Sequence, residues 1–159
     1  MDTGMDTKEF RRVMGLFSTG VTVVTIPEAN TVHGMTANSF TSVSLEPPLI
    51  LVSIDKRAKA HEIVERVGKF GITILNESQQ DVSNHFAGKP DEKVEAGLAF
   101  EWFDDVPVLR EGMARISCKL WATYDGGDHT LFVGLVEKME RDGGVPLLYF
   151  QGNYRRIGE

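Results

Sequence analysis

The runs 115-RISCKLWATY-124 and 129-HTLFVGLVEKME-140 alternate apolar and polar residues on either side of Asp125-Gly126-Gly127-Asp128. A period of two places one row of side chains on each face of a strand, and a Gly-rich tetrad between two such runs is a hairpin signal. A lone two-stranded hairpin buries too little to be stable in water. The chain must therefore supply further strands, and it does. The run 21-VTVVTI-26 is β-branched throughout, and the turn Pro27-Glu28-Ala29-Asn30 sends the chain back through His33. Residues 49–54 form a further strand, with Pro47-Pro48 fixing its entry; 70-FGITIL-75 and 147-LLYFQG-152 read the same way. Arg141-Asp142-Gly143-Gly144 is another turn.

Helices are few and short. Thr7 is a candidate cap for a first helix, with Phe10, Val13, Met14 and Phe17 at helical spacing before Gly15 and Gly20 weaken and end it. Ile63, Val64 and Val67 share a helical face within 58–70, and Gly68 is a plausible stop. Asn76 or Ser78 is placed to cap a short helix over 79–86, and 87-AGKPDEKVEAG-97 reads as a polar surface excursion. Trp102 and Trp121 are expected to pack the barrel. Many short strands with a few short helices, not regularly alternating, predict a mainly β fold and a small barrel rather than a doubly wound sheet. At 159 residues the chain fits one domain, 1–159.

Composition narrows the function. With 42% hydrophobic and 25% charged residues, disorder and coiled coil are excluded. A net charge of −6 opposes a non-specific nucleic-acid binder, which needs a basic surface. The N-terminal residues lack the apolar core of a signal peptide, and no apolar run is long enough for a bilayer, so no membrane role and a cytoplasmic location are expected. The single Cys118 rules out an internal disulfide and multi-cysteine metal sites, and its alternating context marks a buried, inert thiol. The four histidines (His33, His61, His85 and His129) are scattered without ligand spacing, so no metal is expected. Rossmann, Walker A and nucleophile-elbow motifs are all missing from the sequence.

One stretch remains unexplained. In 33-HGMTANSFTSVSLEPPLILVSID-55, small hydroxyl residues crowd beside an apolar strand. Read from the residues alone, a Ser/Thr-rich edge strand accounts for it. A surface rich in hydroxyls and backbone N–H groups, with little bulk, would also accept a flat, polar ligand.

The run 33-HGMTANSF-40 with 42-SVSLEPP-48 resembles the signature of the short-chain NAD(P)H:flavin oxidoreductases. The resemblance extends in order through 17-FSTGVTVVT-25, 84-NHFAG-88, 127-GDHTLFVG-134, 146-PLLYF-150 and 152-GNY-154. These flavin reductases serve two-component aromatic monooxygenases, and the likeness is to those paired with 4-hydroxyphenylacetate or phenol hydroxylases. The resemblance implies a split, Greek-key-like, FMN-binding type of β-barrel, a homodimer, and FAD or FMN in a groove near the subunit interface. NADH or NADPH would be co-substrate, and an oxygenase component would receive reduced flavin by diffusion. By the same resemblance Met35, Thr36, Ala37, Asn38 and Ser39 would line the flavin ring and ribityl chain, and Ser42 and Ser53 its polar tail. Asp55, Lys56 and Lys59 would sit at a phosphate-binding turn into a helix, whose N-terminus favours a phosphate. Asn84, Phe86, Ala87 and Gly88 would border the flavin; His129 would be the catalytic-site residue meeting the nicotinamide, with Tyr154 beside it. The chain departs from many broader-family members in having Ala58 and Ala60 where they carry Ser and Thr, which removes two hydroxyl donors. Three alternatives stay open: a non-catalytic FMN-binding or flavin-carrier protein on the same barrel, a flavin-independent partner-binding barrel, and a pyridoxamine-phosphate-oxidase-like enzyme, which would need a more basic phosphate clamp.

Overall fold

The computed structural model describes residues 3–158. Helix α1, Thr7–Met14, opens the chain and is capped by Asp6, whose carboxylate accepts the N–H groups of Lys8 and Glu9, not by Thr7. It ends before Phe17. Strands β1 (Thr19–Gly20), β2 (Thr22–Glu28), β3 (Thr31–Ala37), β4 (Phe40–Leu45) and β5 (Pro48–Asp55) follow. Helix α2 (Lys59–Val67) stops at Gly68, which takes the left-handed conformation at φ +71. Strand β6 (Lys69–Ile74) leads to two short helices, α3 (Gln80–His85) and α4 (Glu92–Gly97). Neither Asn76 nor Ser78 caps α3; Asn76 Oδ1 instead accepts the N–H and hydroxyl of Ser78 in a local turn. The predicted surface excursion contains α4, capped by the Asp91 carboxylate. Strands β7 (Phe100–Phe103) and β8 (Val106–Leu109) form a hairpin that the sequence reading did not anticipate. The long hairpin is β9 (Ala114–Gly126) and β10 (His129–Arg141), and β11 (Leu148–Phe150) with β12 (Asn153–Arg155) closes the chain.

Seven strands form one antiparallel sheet in the order β3-β2-β6-β9-β10-β5-β4. The two edge strands, β3 and β4, are consecutive in sequence, and only Asn38 and Ser39 separate them. The sheet rolls up without closing, which makes this a split barrel, and its open seam runs past that dipeptide. Core residues come from the inner rows of β2, β5, β6 and β10, including Val24, Ile26, Ile50, Val52, Ile54, Phe70, Ile72 and Phe132. The α2 face predicted from its period, Ile63 and Val64, packs into the same core with Ala60.

Two bulges shape the long hairpin. Trp121 is an extra residue opposite the Val133–Gly134 step, and Glu137 is extra opposite Ser117–Cys118. The first bulge turns Trp121 outward, so it is 53% exposed; Trp102, on the covering hairpin, is 51% exposed. Neither tryptophan fills the barrel as expected. Cys118 does: it is fully buried, and burial pushes its thiol up to about 12, with Glu137 adding to the shift.

Strand β2 is buried on both faces because β8 lies across the outer face of the sheet. Small and hydroxyl residues make that crossing possible. Thr25 Oγ1 donates to Pro107 O at 2.5 Å, and Leu109 N donates to Thr73 Oγ1 at 3.1 Å. The buried Arg115 guanidinium donates to Arg110 O and to both Asp142 oxygens, with Glu101 and Glu140 within 4 Å. Replacing Thr25 with valine keeps the shape but leaves the Pro107 carbonyl unsatisfied. The expected loss is about 1–3 kcal/mol, read as a lower denaturation midpoint with an unchanged m-value.

A second cluster, Val21, Val23, Leu75, Leu109 and Leu147, secures α3 and the C-terminal strands to the barrel. Phe86, Tyr149 and Tyr154 pack against it. This cluster positions the seam.

Candidate active site

The edge strand β3 carries His33, Gly34, Met35 and Thr36 to the lip of a cleft of about 690 Å³. Its opposite walls are Ala58, Lys59 and Ala60, where β5 turns into α2, and the 85–90 segment that follows α3. Thr36 N–H points out of the sheet and donates to Phe86 O at 3.1 Å, while its hydroxyl donates to Ser83 O at 2.5 Å. Antiparallel pairing alternates, so Gly34 likewise turns its N–H and C=O outward, toward the cleft it lines. Gly34 is required here: a Cβ at this position would lie 2.4 Å from the Phe86 ring.

A smaller cavity of about 190 Å³ adjoins the first through Thr36 and Ala87. Val21, Ala37, Asn38, Ser83, Tyr149 and Tyr154 complete its walls. Tyr154 OH and Ser83 Oγ share a 2.6 Å hydrogen bond, and the Tyr149 ring meets Tyr154 edge-on.

Of the residues singled out in the sequence, Met35, Thr36, Lys59, Phe86, Ala87 and Gly88 meet in the large cleft, and Thr36, Ala37, Asn38, Ala87 and Tyr154 in the small one. Ala37 belongs to the hydrophobic core and is buried, so its backbone, not its side chain, faces the small cavity. Ser39 and Ser53 bond to each other just past the end of the β4–β5 ladder, with Ser39 Oγ donating to Ser53 O at 2.8 Å. Asn84 serves the turn after α3, its carbonyl accepting from Ala87 and Lys89. Ser42 sits exposed on β4, opposite Ile50, outside both cavities.

Asp55, Lys56 and His129 also lie outside the two cavities, at a neighbouring polar rim. His129 is opposite Asp55 in the β5–β10 ladder, and Lys56 N donates to Asp128 O at 2.9 Å. Lys56 Nζ pairs with Asp125. The Asp55 carboxyl is held down to about 2, first by the Arg57 side chain and then by the Arg57 backbone N–H. His129 Nδ1 lies 2.8 Å from Asp128 Oδ1. The carboxylate accepts only, so Nδ1 carries the proton, and on the neutral ring Nε2 is an acceptor aimed away from Asp128.

Three local features suit a flavin. Ala58, Ala60, Ala87 and Gly88 keep part of the cleft wall small between the bulkier His33, Met35, His85 and Phe86, which leaves room for a planar ring beside them. Ala58 caps α2 without a side-chain acceptor, so first-turn N–H groups of a nine-residue helix remain for an external anion. Lys59 supplies a cation at that end, 3.4 Å from Glu28, and no arginine clamp accompanies it. Burial holds the pKa of His33, on the same wall, below its usual value, with the positive charge of Lys59 acting in the same direction; His33 is neutral at physiological pH. The sequence reading gave no role to His33, Ser83, His85 or Tyr149; the quoted motif runs contain His33, His85 and Tyr149, while Ser83 is a single polar residue with no period to flag it.

The fold and the cleft define a flavin-handling split barrel, and similarity agrees. Residues 14–158 match the family model described as the flavin reductase-like domain, and the chain belongs to that family. It is 42% identical over 99% of its length to an NADH-dependent flavin reductase from a Rhodococcus species, covering 90% of that protein. It is also 42% identical over 93% of its length to the reductase component of 4-hydroxyphenylacetate 3-monooxygenase from Thermus thermophilus, covering 95% of it. The solved structure of the flavin reductase PheA2 in its native state superimposes with a TM-score of 0.91 at 41% identity, covering 98% of this chain and all of that one.

Proposed function

We propose that this protein is an NADH-dependent flavin reductase that supplies reduced flavin to a partner monooxygenase. The observation that carries this is the cleft itself: an outward-facing edge strand, an uncapped helix start with a lysine, and a small-residue wall, all on a chain 42% identical to such a reductase. The flavin, FAD or FMN, supplies the electron acceptor that takes a hydride from the nicotinamide. The chain's own residues position and polarise. Ala58, Ala87 and Gly88 leave room for a flat ring, and the Gly34 N–H is a fixed donor toward ring oxygen or nitrogen atoms. The first turn of α2 and Lys59 take the phosphate end. His129, whose Nδ1 is turned to Asp128, presents Nε2 to the nicotinamide carboxamide. No acid, base or nucleophile has to act on the hydride itself.

The finer reading is that the protein is one domain, works in the cytoplasm, and pairs as a homodimer with an aromatic-hydroxylating oxygenase as recipient. Among the described residues no helix is long and apolar enough to cross a membrane. Large side chains left exposed on β4, β9 and β10, on α1 and just after it, among them Leu45, Trp121, Tyr124, Met139, Phe10 and Phe17, support pairing of two copies.

Replacing His129 with alanine is expected to raise the KM for NADH about tenfold, the loss of a hydrogen bond to a ligand, and the flavin KM by less than about twofold. Equal losses for both substrates would remove His129 from the nicotinamide site. The functional proposal is tested by mixing the protein with excess FAD or FMN and NADH without oxygen. Catalytic bleaching of many flavins per protein is the expected result. Flavin binding without bleaching would make the protein a carrier.

A further inference from the structure

We infer that His85 is a positioning residue: it locks the 86–95 segment in place and so fixes the wall that a flavin would face. This rests on the functional reading above. The His85 side chain is only 8% exposed, at the C-terminal end of α3. Its Nδ1 accepts the backbone N–H of Asp91 at 2.9 Å, so the proton resides on Nε2. Nε2 in turn lies 2.7 Å from Glu95 Oε2 and donates to it. One imidazole thus holds both the cap of α4 and its first turn, because Asp91 is also the residue whose carboxylate caps Lys93 and Val94. Without these bonds α4 has little to hold it: it is six residues long and buries none of them.

The consequence reaches the cleft through Phe86. The His85 ring meets the Phe86 ring edge-on at 4.8 Å. Phe86 fills the space over Gly34, and its carbonyl takes the Thr36 N–H. His85, Phe86, Ala87, Gly88 and Pro90 all line the large cleft. The intervening Gly88 has φ +89, a conformation that other residues rarely adopt, so the loop needs anchors at both ends. Thr36 anchors one end, and His85 anchors the other through Asp91. A histidine is suited to this because it offers an acceptor and a donor on opposite sides of a rigid ring.

The test compares wild type, His85→Ala and His85→Asn by steady-state kinetics with both substrates and by amide hydrogen exchange of the free protein. For His85→Ala the flavin KM should rise about tenfold, as expected when a buried two-bond anchor is removed. The kcat at saturating flavin and the KM for NADH should stay within about twofold of wild type. Exchange should accelerate over residues 86–97 and nowhere in β2, β6 or β9. His85→Asn keeps an acceptor where Nδ1 was and should recover most of the flavin KM. An unchanged flavin KM in His85→Ala would overturn the inference. So would a parallel loss in all kinetic constants or faster exchange throughout the barrel, either of which marks a merely structural residue. If wild type itself fails to reduce flavin, the functional reading falls, and with it the flavin-facing role of His85; the exchange comparison still shows whether His85 holds the segment.

Discussion

Replacing Ala87 with tryptophan is expected to raise the flavin KM about 10- to 100-fold while leaving the unfolding midpoint nearly unchanged. Ala87 is exposed and lines both the large and the small cavity. Its backbone is held by a hydrogen bond to Asn84 O at 3.0 Å, which the substitution keeps. The new indole has no core to disturb, so it occupies the space a flat ligand needs. Forcing extra volume into a packed contact costs about 1–3 kcal/mol, and each 1.4 kcal/mol is tenfold in affinity. Ala37 would not serve the same purpose, although the sequence pointed to it: its side chain lies in the core, and a large residue there would unfold the barrel before it said anything about flavin. An Ala87→Trp variant with wild-type kinetics would mean that the flavin binds away from this wall.

The largest expected loss of stability belongs to Gly71→Ala. A Cβ at Gly71 would lie 2.4 Å from Pro107 O, 2.7 Å from Thr25 Oγ1 and 2.8 Å from Val108 Cγ1. The nearest atom is backbone, so no rotamer change relieves the clash. Either β8 moves off the sheet, breaking the Thr25 and Thr73 hydrogen bonds that hold it, or β6 distorts. We expect a loss of about 3 kcal/mol or more, an overpacking cost with a lost buried hydrogen bond added to it. For a chain of this size that lowers the Tm by roughly 6–12 °C, measurable by calorimetry. A change under about 1 kcal/mol would show that β8 is not pressed on the sheet as described.

The sequence made the strands of the barrel legible where one face is buried and the period is clean. The apolar run of β5, the alternation in β10, the hairpin at Gly127 and the stop at Gly68 follow from local chemistry. The β7–β8 hairpin was not legible, because strands as short as 100–103 and 106–109 show almost no period. The doubly buried β2 reads as a run of β-branched residues and does not announce what covers its second face. Trp121 misled because a bulge, invisible in a single sequence, shifts the alternation by one. For the site, the ordered motifs located the edge strand and the 84–88 turn, and the structure joins them through Thr36 and Phe86. It also separates what the sequence grouped: Asp55, Lys56 and His129 form a rim of ion pairs beside the cleft and not its wall. His85 lies inside the run 84-NHFAG-88 but received no role, because only its two partners, six and ten residues later, give it meaning.

On the proposed function, the flavin occupies the cleft between β3, the start of α2 and the 85–90 segment. Amide hydrogen exchange of the protein with and without saturating FAD tests this directly. Protection is predicted at 33–38, 58–61 and 85–91, with no change over the exposed end of the β9–β10 hairpin. Protection confined to other strands, or none at concentrations that support turnover, would contradict it.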